Sequence, residues 1–165
     1  MDKKIRPLTF DDEDEIIDLI KVSLYNGDQL HIGELLPTES NVYNFYRFEI
    51  FPLIIDEEPL LGYFNDKLIG IASCTTRFNK MYKLKKSLAL GMITITHPDH
   101  RRQGIATKLR TQLGKELYLR NIDSFVFEIK QENEASLKNA QKIAKNLKSD
   151  ASLLSLKFEA NTNVF

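Results

Sequence analysis

The sequence predicts an α/β (α+β) domain, a mixed central sheet with helices on both faces in the order β α α β β β α β α β. Three observations carry that expectation. Leu60–Phe64 and Leu68–Thr75 are strand-like runs parted by Asn65-Asp66-Lys67, the signal of an antiparallel hairpin. Further on, the β-branched run Ser87–Thr96 passes through a proline and a glycine into a helical pattern and then into another strand, as a β–α–β crossover does, and a crossover makes neighbouring strands parallel. Amphipathic helical patterns stand both before the hairpin and after Thr96, enough to cover two faces.

Each element has its own local reason. Ile5–Leu8 reads as a short first strand, and Thr9 with the acidic Asp12 three residues on resembles a capping box. Ile16, Ile17, Ile20 and Leu24 recur at helical spacing, giving a helix from about Asp12 to Tyr25. After a polar stretch, Gly27–Glu34, a second helical pattern puts Val42, Phe45, Tyr46, Glu49 and Ile50 on one face. It is expected to stop at Pro52, because a proline drives its predecessor out of the helical region. The aromatic cluster of that helix (Tyr43, Phe45, Tyr46, Phe48, Phe51) is expected to be mostly core. Arg77–Lys86 is a basic loop. Beyond Gly104, Ile105, Leu109, Leu113 and Leu117 stand four apart as one apolar stripe. Asp123–Ile129 alternates as a strand, with Phe125, Phe127 and Ile129 on one face and Val126 and Glu128 on the other. A last helix runs from about Asn133 to Leu147, and Leu153–Phe158 forms one more strand.

At 165 residues without a linker or repeat, the chain is read as one domain, residues 1–165. Lys+Arg and Asp+Glu both number 23, so bulk charge gives no reason to expect nucleic acid as a partner. Cys74 is the one cysteine, which excludes an intrachain disulfide and suits a reducing compartment. No signal-peptide pattern or membrane span is legible, so a cytoplasmic protein without a membrane partner is expected.

The chemistry concentrates in Thr94–Leu109. There a strand meets Pro98, a basic turn follows, and Gly104 opens a helix. A helix start leaves N–H groups without acceptors and carries the positive end of the helix dipole. A phosphate oxygen can take those bonds if nothing bulky intervenes, a condition Gly104 and the small Ala106 meet. These residues resemble the acyl-CoA loop of the GNAT superfamily of N-acetyltransferases, Arg/Gln-x-x-Gly-x-Gly/Ala. Here it reads Arg101-Arg102-Gln103-Gly104-Ile105-Ala106, after the His97-Pro98-Asp99 that members often carry. The resemblance implies a mostly antiparallel central sheet and transfer of the acetyl group of acetyl-CoA to a primary amine. It implies acetyl-CoA bound by Arg101, Arg102, Gln103, Gly104, Ile105, Ala106 and Thr107, by backbone groups of the fourth-strand stretch Ile93–Thr96, Ile95 and Thr96 among them, and by Asn133 on the last helix. No metal is expected.

The proton-transfer residues are less legible. Members of the family often carry a glutamate on the fourth strand, but Leu90–Thr96 has no carboxylate. Glu128 on the neighbouring strand, Glu58 near the hairpin and His97, whose side-chain class titrates near neutrality, are the candidate bases. The plainer reading is a solvated or salt-bridged carboxylate for each glutamate and a strand-end residue for His97. A tyrosine that many members use as general acid corresponds to Ala140 here, which leaves open a CoA-binding module with little activity. Tyr43 or Tyr46 would line an acceptor groove by the same resemblance. A sheet ending at Leu153–Phe158 leaves an unpaired edge, and with Val164 and Phe165 it suggests a homodimer.

Overall fold

A computed structural model of the chain describes residues 4–28, 30, 35–77, 79, 87–122, 124–127, 129 and 134–147. Strand β1 (Ile5–Pro7) leads through a 3-10 turn (Phe10–Asp12) into helix α1 (Glu13–Tyr25). Helix α2 (Glu39–Phe45) runs without interruption through a π turn (Tyr46–Ile50) into α3 (Phe51–Ile55). Strands β2 (Leu60–Asn65), β3 (Lys67–Thr75) and β4 (Leu88–Thr96) follow, then α4 (Ile105–Leu119), β5 (Ser124–Phe127) and α5 (Glu134–Leu147). The five strands form one sheet in chain order, antiparallel from β1 to β4 and parallel between β4 and β5. The hairpin and the crossover thus yield the two pairing modes their sequences call for.

Two apolar layers sandwich the sheet. On one face Ile16, Leu19, Ile20 and Leu24 of α1 and Val42, Phe45 and Ile50 of the second helical stretch meet Leu68, Ile71, Ile93 and Ile95. On the other, the stripe Ile105, Leu109, Leu113 and Leu117 lies on Leu61, Ile69, Ala72, Cys74 and Ala89. Each such side chain contributes about 1.5–3 kcal/mol when fully buried. Gly70 sets how close α4 sits. A Cβ there would lie 2.7 Å from Ile105 Cγ2 and 3.2 Å from Leu109 Cδ1, so the first turns of α4 pack directly on β3.

Several expectations are corrected. Pro52 does not end the second helix. It falls in the first turn of α3, just after the wider π turn, where a missing N–H breaks no bond. Of the aromatic cluster, Phe45 and Tyr46 are core and Phe51 is half-buried, but Tyr43 and Phe48 are exposed. The fifth strand as described is Ser124–Phe127, and Ile129, expected at its end, is not part of it. Most of the basic loop, the expected strand Leu153–Phe158 and the tail with Val164 and Phe165 lie outside the described residues. No helix among the described residues is long and apolar enough to cross a membrane.

The link from β1 to α1 is fastened by Asp12. Its carboxylate accepts from Arg6 Nη2 at 2.6 Å, Arg6 Nη1 at 2.9 Å and the Thr9 amide at 2.9 Å. The Arg6 bond outweighs burial and holds the Asp12 carboxyl below its ordinary 3.8. The folded state therefore takes up this proton less readily than the unfolded one. The stabilisation is present above the unfolded pKa and is lost as pH falls through the lower folded value. Asp12→Asn should lower unfolding stability at pH 7 by about 1–2 kcal/mol. In urea titrations that deficit should shrink below pH 3, whereas a deficit equal at both pH values would show that charge plays no part.

Candidate active site

Strand β4 changes neighbours along its length. Among the described residues Leu88, Ala89, Leu90 and Gly91 pair with Ser124, Phe125, Val126 and Phe127, and Gly91–Phe127 is the last described pair. On its other side β4 stays paired with β3 up to Thr96, opposite Gly70. Between these halves sits a β-bulge: Ala72 pairs with Thr94 and Cys74 with Gly91, so Met92 and Ile93 oppose Ser73 alone. The bulge amide of Ile93 donates to Ser73 Oγ at 3.2 Å, a bond buried within the sheet. Met92 projects 44% exposed from the same place.

Beyond the bulge, register decides which backbone groups face the gap. The His97 amide donates to Ile69 O at 2.9 Å. In an antiparallel ladder alternate residues turn their polar groups to the same neighbour, so Ile95 also faces β3 while Thr94 and Thr96 face the other side, where β5 has no described partner for them. Ile95, expected at the site, has its side chain in the core as well, and Thr94 faces the gap in its place. The Thr96 carbonyl accepts from Arg101 Nε across this edge at 3.5 Å.

The turn after β4 is a 3-10 turn (Pro98–His100) opened by His97, whose Nδ1 accepts from the Asp99 amide at 3.3 Å. The His97 ring lies edge-on to His100, 5.4 Å between centroids, and holds the strand end. Arg102 and Gly104 both take positive φ, +61° and +78°. Gly104 is the N-cap of α4 and no side chain caps it. The first helical bond runs from the Lys108 amide to Gly104 O at 3.0 Å, which leaves the amides of Ile105, Ala106 and Thr107 without a helical acceptor. A Cβ on Gly104 would meet nothing within 4 Å, so the space over these amides is open. Arg101 reaches back across the mouth of the gap to an ion pair with Asp28, just after α1. This arrangement presents backbone donors, helix-dipole charge and guanidinium groups to an anion, with the strand edge beyond the described β5 pairs running away from it.

Other expected residues lie elsewhere. Glu58 stands at the opposite end of the sheet, where its carboxylate accepts from the Thr76 amide at 2.9 Å, Thr76 Oγ1 at 3.0 Å and Thr75 Oγ1 at 3.3 Å. Open clefts of about 390 and 350 Å³ adjoin it, and neither includes a residue of the Gly104 turn. Cys74 is buried, and burial pushes its thiol up to about 12, so it stays protonated. Tyr46 is likewise buried, its hydroxyl raised to about 12, chiefly by burial. Tyr43 is exposed on α2. Glu128 and Asn133 lie outside the described residues. Sequence reasoning missed Ser73, Asp28 and Arg110. The last, on α4, donates from Nε to Thr94 Oγ1 at 2.9 Å. Only the register shows which way Thr94 faces, and no local pattern marks the three.

The sequence profile of the acetyltransferase (GNAT) family matches residues 24–144. The chain belongs to this family. GNAT proteins are acyltransferases that use acetyl-CoA, and the matched span runs from the end of α1 into α5. Its fold is similar to an N-acetyltransferase from Staphylococcus aureus Mu50 (TM-score 0.65, 20% identity, 84% of this chain and 79% of that one). It is also similar to a ribosomal-protein-alanine N-acetyltransferase from Brucella melitensis (TM-score 0.65, 19% identity, 84% and 81%). A third similar fold is AAC(6′)-Iy in complex with a bisubstrate analogue, CoA-S-monomethyl-acetylneamine (TM-score 0.61, 15% identity, 95% and 97%). No curated protein matches the sequence. No group of residues suited to hold a metal ion occurs among the described residues.

Gly104→Asp puts a carboxylate and a strained positive φ at the helix start. Calorimetry should show acetyl-CoA affinity reduced by about tenfold or more, with the circular dichroism spectrum unchanged. Unchanged affinity would remove this turn from the binding site.

Proposed function

We propose that the protein transfers the acetyl group of acetyl-CoA directly to a primary amine, with the pyrophosphate on the amides of Ile105, Ala106 and Thr107. The observation that supports this reading is the open space over Gly104 beside a stretch of β4 that has no β5 partner among the described residues. Helix-start amides suit a pyrophosphate, and Arg101 and Arg102 supply charge at its rim. The outward-facing backbone of Thr94 and Thr96 suits the amide-bearing pantetheine arm, so these residues fit the co-substrate the family uses. Acetyl-CoA brings the activated acyl group, and the chain's contribution is to hold it and to orient its carbonyl.

A neutral amine is the nucleophile, so the rate should rise with pH as the acceptor loses its proton. Strand β4 has no ionisable side chain, so a base must reach the gap from elsewhere. Glu128, next in sequence after Phe127 of the last described pair, is our choice. The Nδ1 of His97 already accepts from the turn, which leaves only its Nε2 for proton transfer. The cytoplasm is the proposed compartment, where the free thiol of Cys74 suits reducing conditions.

The test is release of free CoA thiol from acetyl-CoA with a panel of small amines, peptides bearing free N-termini, and lysine peptides. Amine-dependent release is expected, and its absence with every class would contradict the reading. Glu128→Gln should lower kcat by about a hundredfold or more with the KM for acetyl-CoA little changed. A pH–rate profile equal to that of the wild type would exclude Glu128 as the base.

A further inference from the structure

The Arg101 guanidinium at the mouth of the gap is fastened to a fixed point. Helix α1 ends at a left-handed residue, Gly27 with φ +82°. There the Gly27 amide donates to Leu24 O at 3.0 Å and the Asp28 amide donates to Ser23 O at 3.1 Å. These two bonds close the helix C-terminus and set the place of the residue that follows the glycine. Asp28 is thus held by the end of α1, and its carboxylate takes an ion pair from Arg101 Nη2. The other partner is free to move, because Arg101 carries its guanidinium on a long, rotamer-rich stem from the turn before α4.

The pair lies over groups that a cofactor would use. Arg101 Nε donates to Thr96 O at 3.5 Å, so the guanidinium covers the outermost backbone acceptor on this edge of β4. Beside it stand the amides of Ile105, Ala106 and Thr107, with open space over Gly104. An arm passing from those amides to the strand edge meets the guanidinium at Thr96. The other carboxylate of the turn, Asp99, has His97 as its neighbour, 3.9 Å from Oδ2 to Nδ1. Among the described residues Asp28 is the one carboxylate paired with Arg101.

We propose that the Arg101–Asp28 pair is a strap across the mouth which the phosphates of acetyl-CoA open, an inference that rests on the acetyl-CoA reading above. Asp28 engages Arg101 through one nitrogen, whereas a phosphate can take two parallel N–H bonds from the same fork. Once the guanidinium turns to the phosphates, Thr96 O is released to the pantetheine arm. Asp28 then stays at the end of α1 as a negative charge without its cation, close to an anionic ligand. Losing the pair and gaining that repulsion both count against binding, so Asp28 loosens the hold on the cofactor. The pair is partly exposed, which limits the effect of breaking it to a factor of about two to five. CoA carries the same phosphates, so the strap closes behind the departing product and speeds its release.

The test is calorimetry of acetyl-CoA and CoA on the wild type, Asp28→Asn, Arg101→Gln and the double variant. Asp28→Asn should bind both ligands about threefold tighter or more, with slower CoA dissociation in stopped flow. Made on Arg101→Gln, the same substitution removes only repulsion and should bring less than half that factor. The ¹⁵Nε–H signal of Arg101 reads the strap itself. Asp28→Asn should shift that signal in the free protein and leave it unmoved in the acetyl-CoA complex. Unchanged or weaker binding by Asp28→Asn, gains of similar size in the two backgrounds, or a bound-state Arg101 signal that still responds to Asp28→Asn would overturn the strap and leave the acetyl-CoA reading standing. Failure of the wild type to bind either ligand would overturn both.

Discussion

Strands β4 and β5 form a parallel ladder whose described pairs end at Gly91 and Phe127, and the site is arranged around the stretch of β4 beyond them. An interior sheet strand normally gives both edges to its neighbours, since unpaired backbone groups away from water are costly. Here β4 keeps β3 on one side to its end and has no described β5 partner beyond Gly91 on the other, so Thr94 and Thr96 direct backbone groups into a gap. The bulge opposite Ser73 accompanies the change, and the Ser73 hydroxyl accepts the Ile93 amide that the extra residue displaces from regular pairing. This arrangement thus supplies ligand-binding capacity at one edge without an orphaned amide at the bulge.

The rest of the fold fixes this gap in place. Gly70 lets α4 lie directly on β3, which brings the helix start to the open end of the gap. Positive φ at Arg102 and Gly104 turns the chain sharply enough for the amides of α4 to face outward. The pair of Arg101 with Asp28 spans the mouth from the α1 side and joins the two helical layers where the sheet does not. Both side chains are partly exposed, so this bond steers position more than it adds stability.

Much of this was legible in the chain. The hairpin at Asp66, the strand-to-helix passage and the stripe from Ile105 to Leu117 are local patterns, and local patterns survive folding. The π turn was not legible, because a helix that widens by one residue per turn keeps its apolar face while moving Pro52 into a tolerated position. The orientation of Thr94 was hidden for a different reason. Which of two adjacent strand residues faces the gap depends on register with β3, and a bulge shifts register without leaving a mark in composition. Arg110 read as one more basic residue on an amphipathic helix, and its contact with Thr94 appears only in the fold. Ile129 lies outside β5, which the alternation Phe125–Ile129 does not foretell.

The central claim is that the helix start at Gly104 and the open edge of β4 form one binding surface for acetyl-CoA. Titration of acetyl-CoA into the ¹⁵N-labelled protein tests it most directly, because each backbone amide reports separately. The account predicts that the largest shifts fall together on Thr94, Thr96 and Gly104–Thr107, with one common saturation curve. Shifts centred on the clefts around Glu58 and Thr76, with the amides of Gly104–Thr107 unmoved, would contradict it.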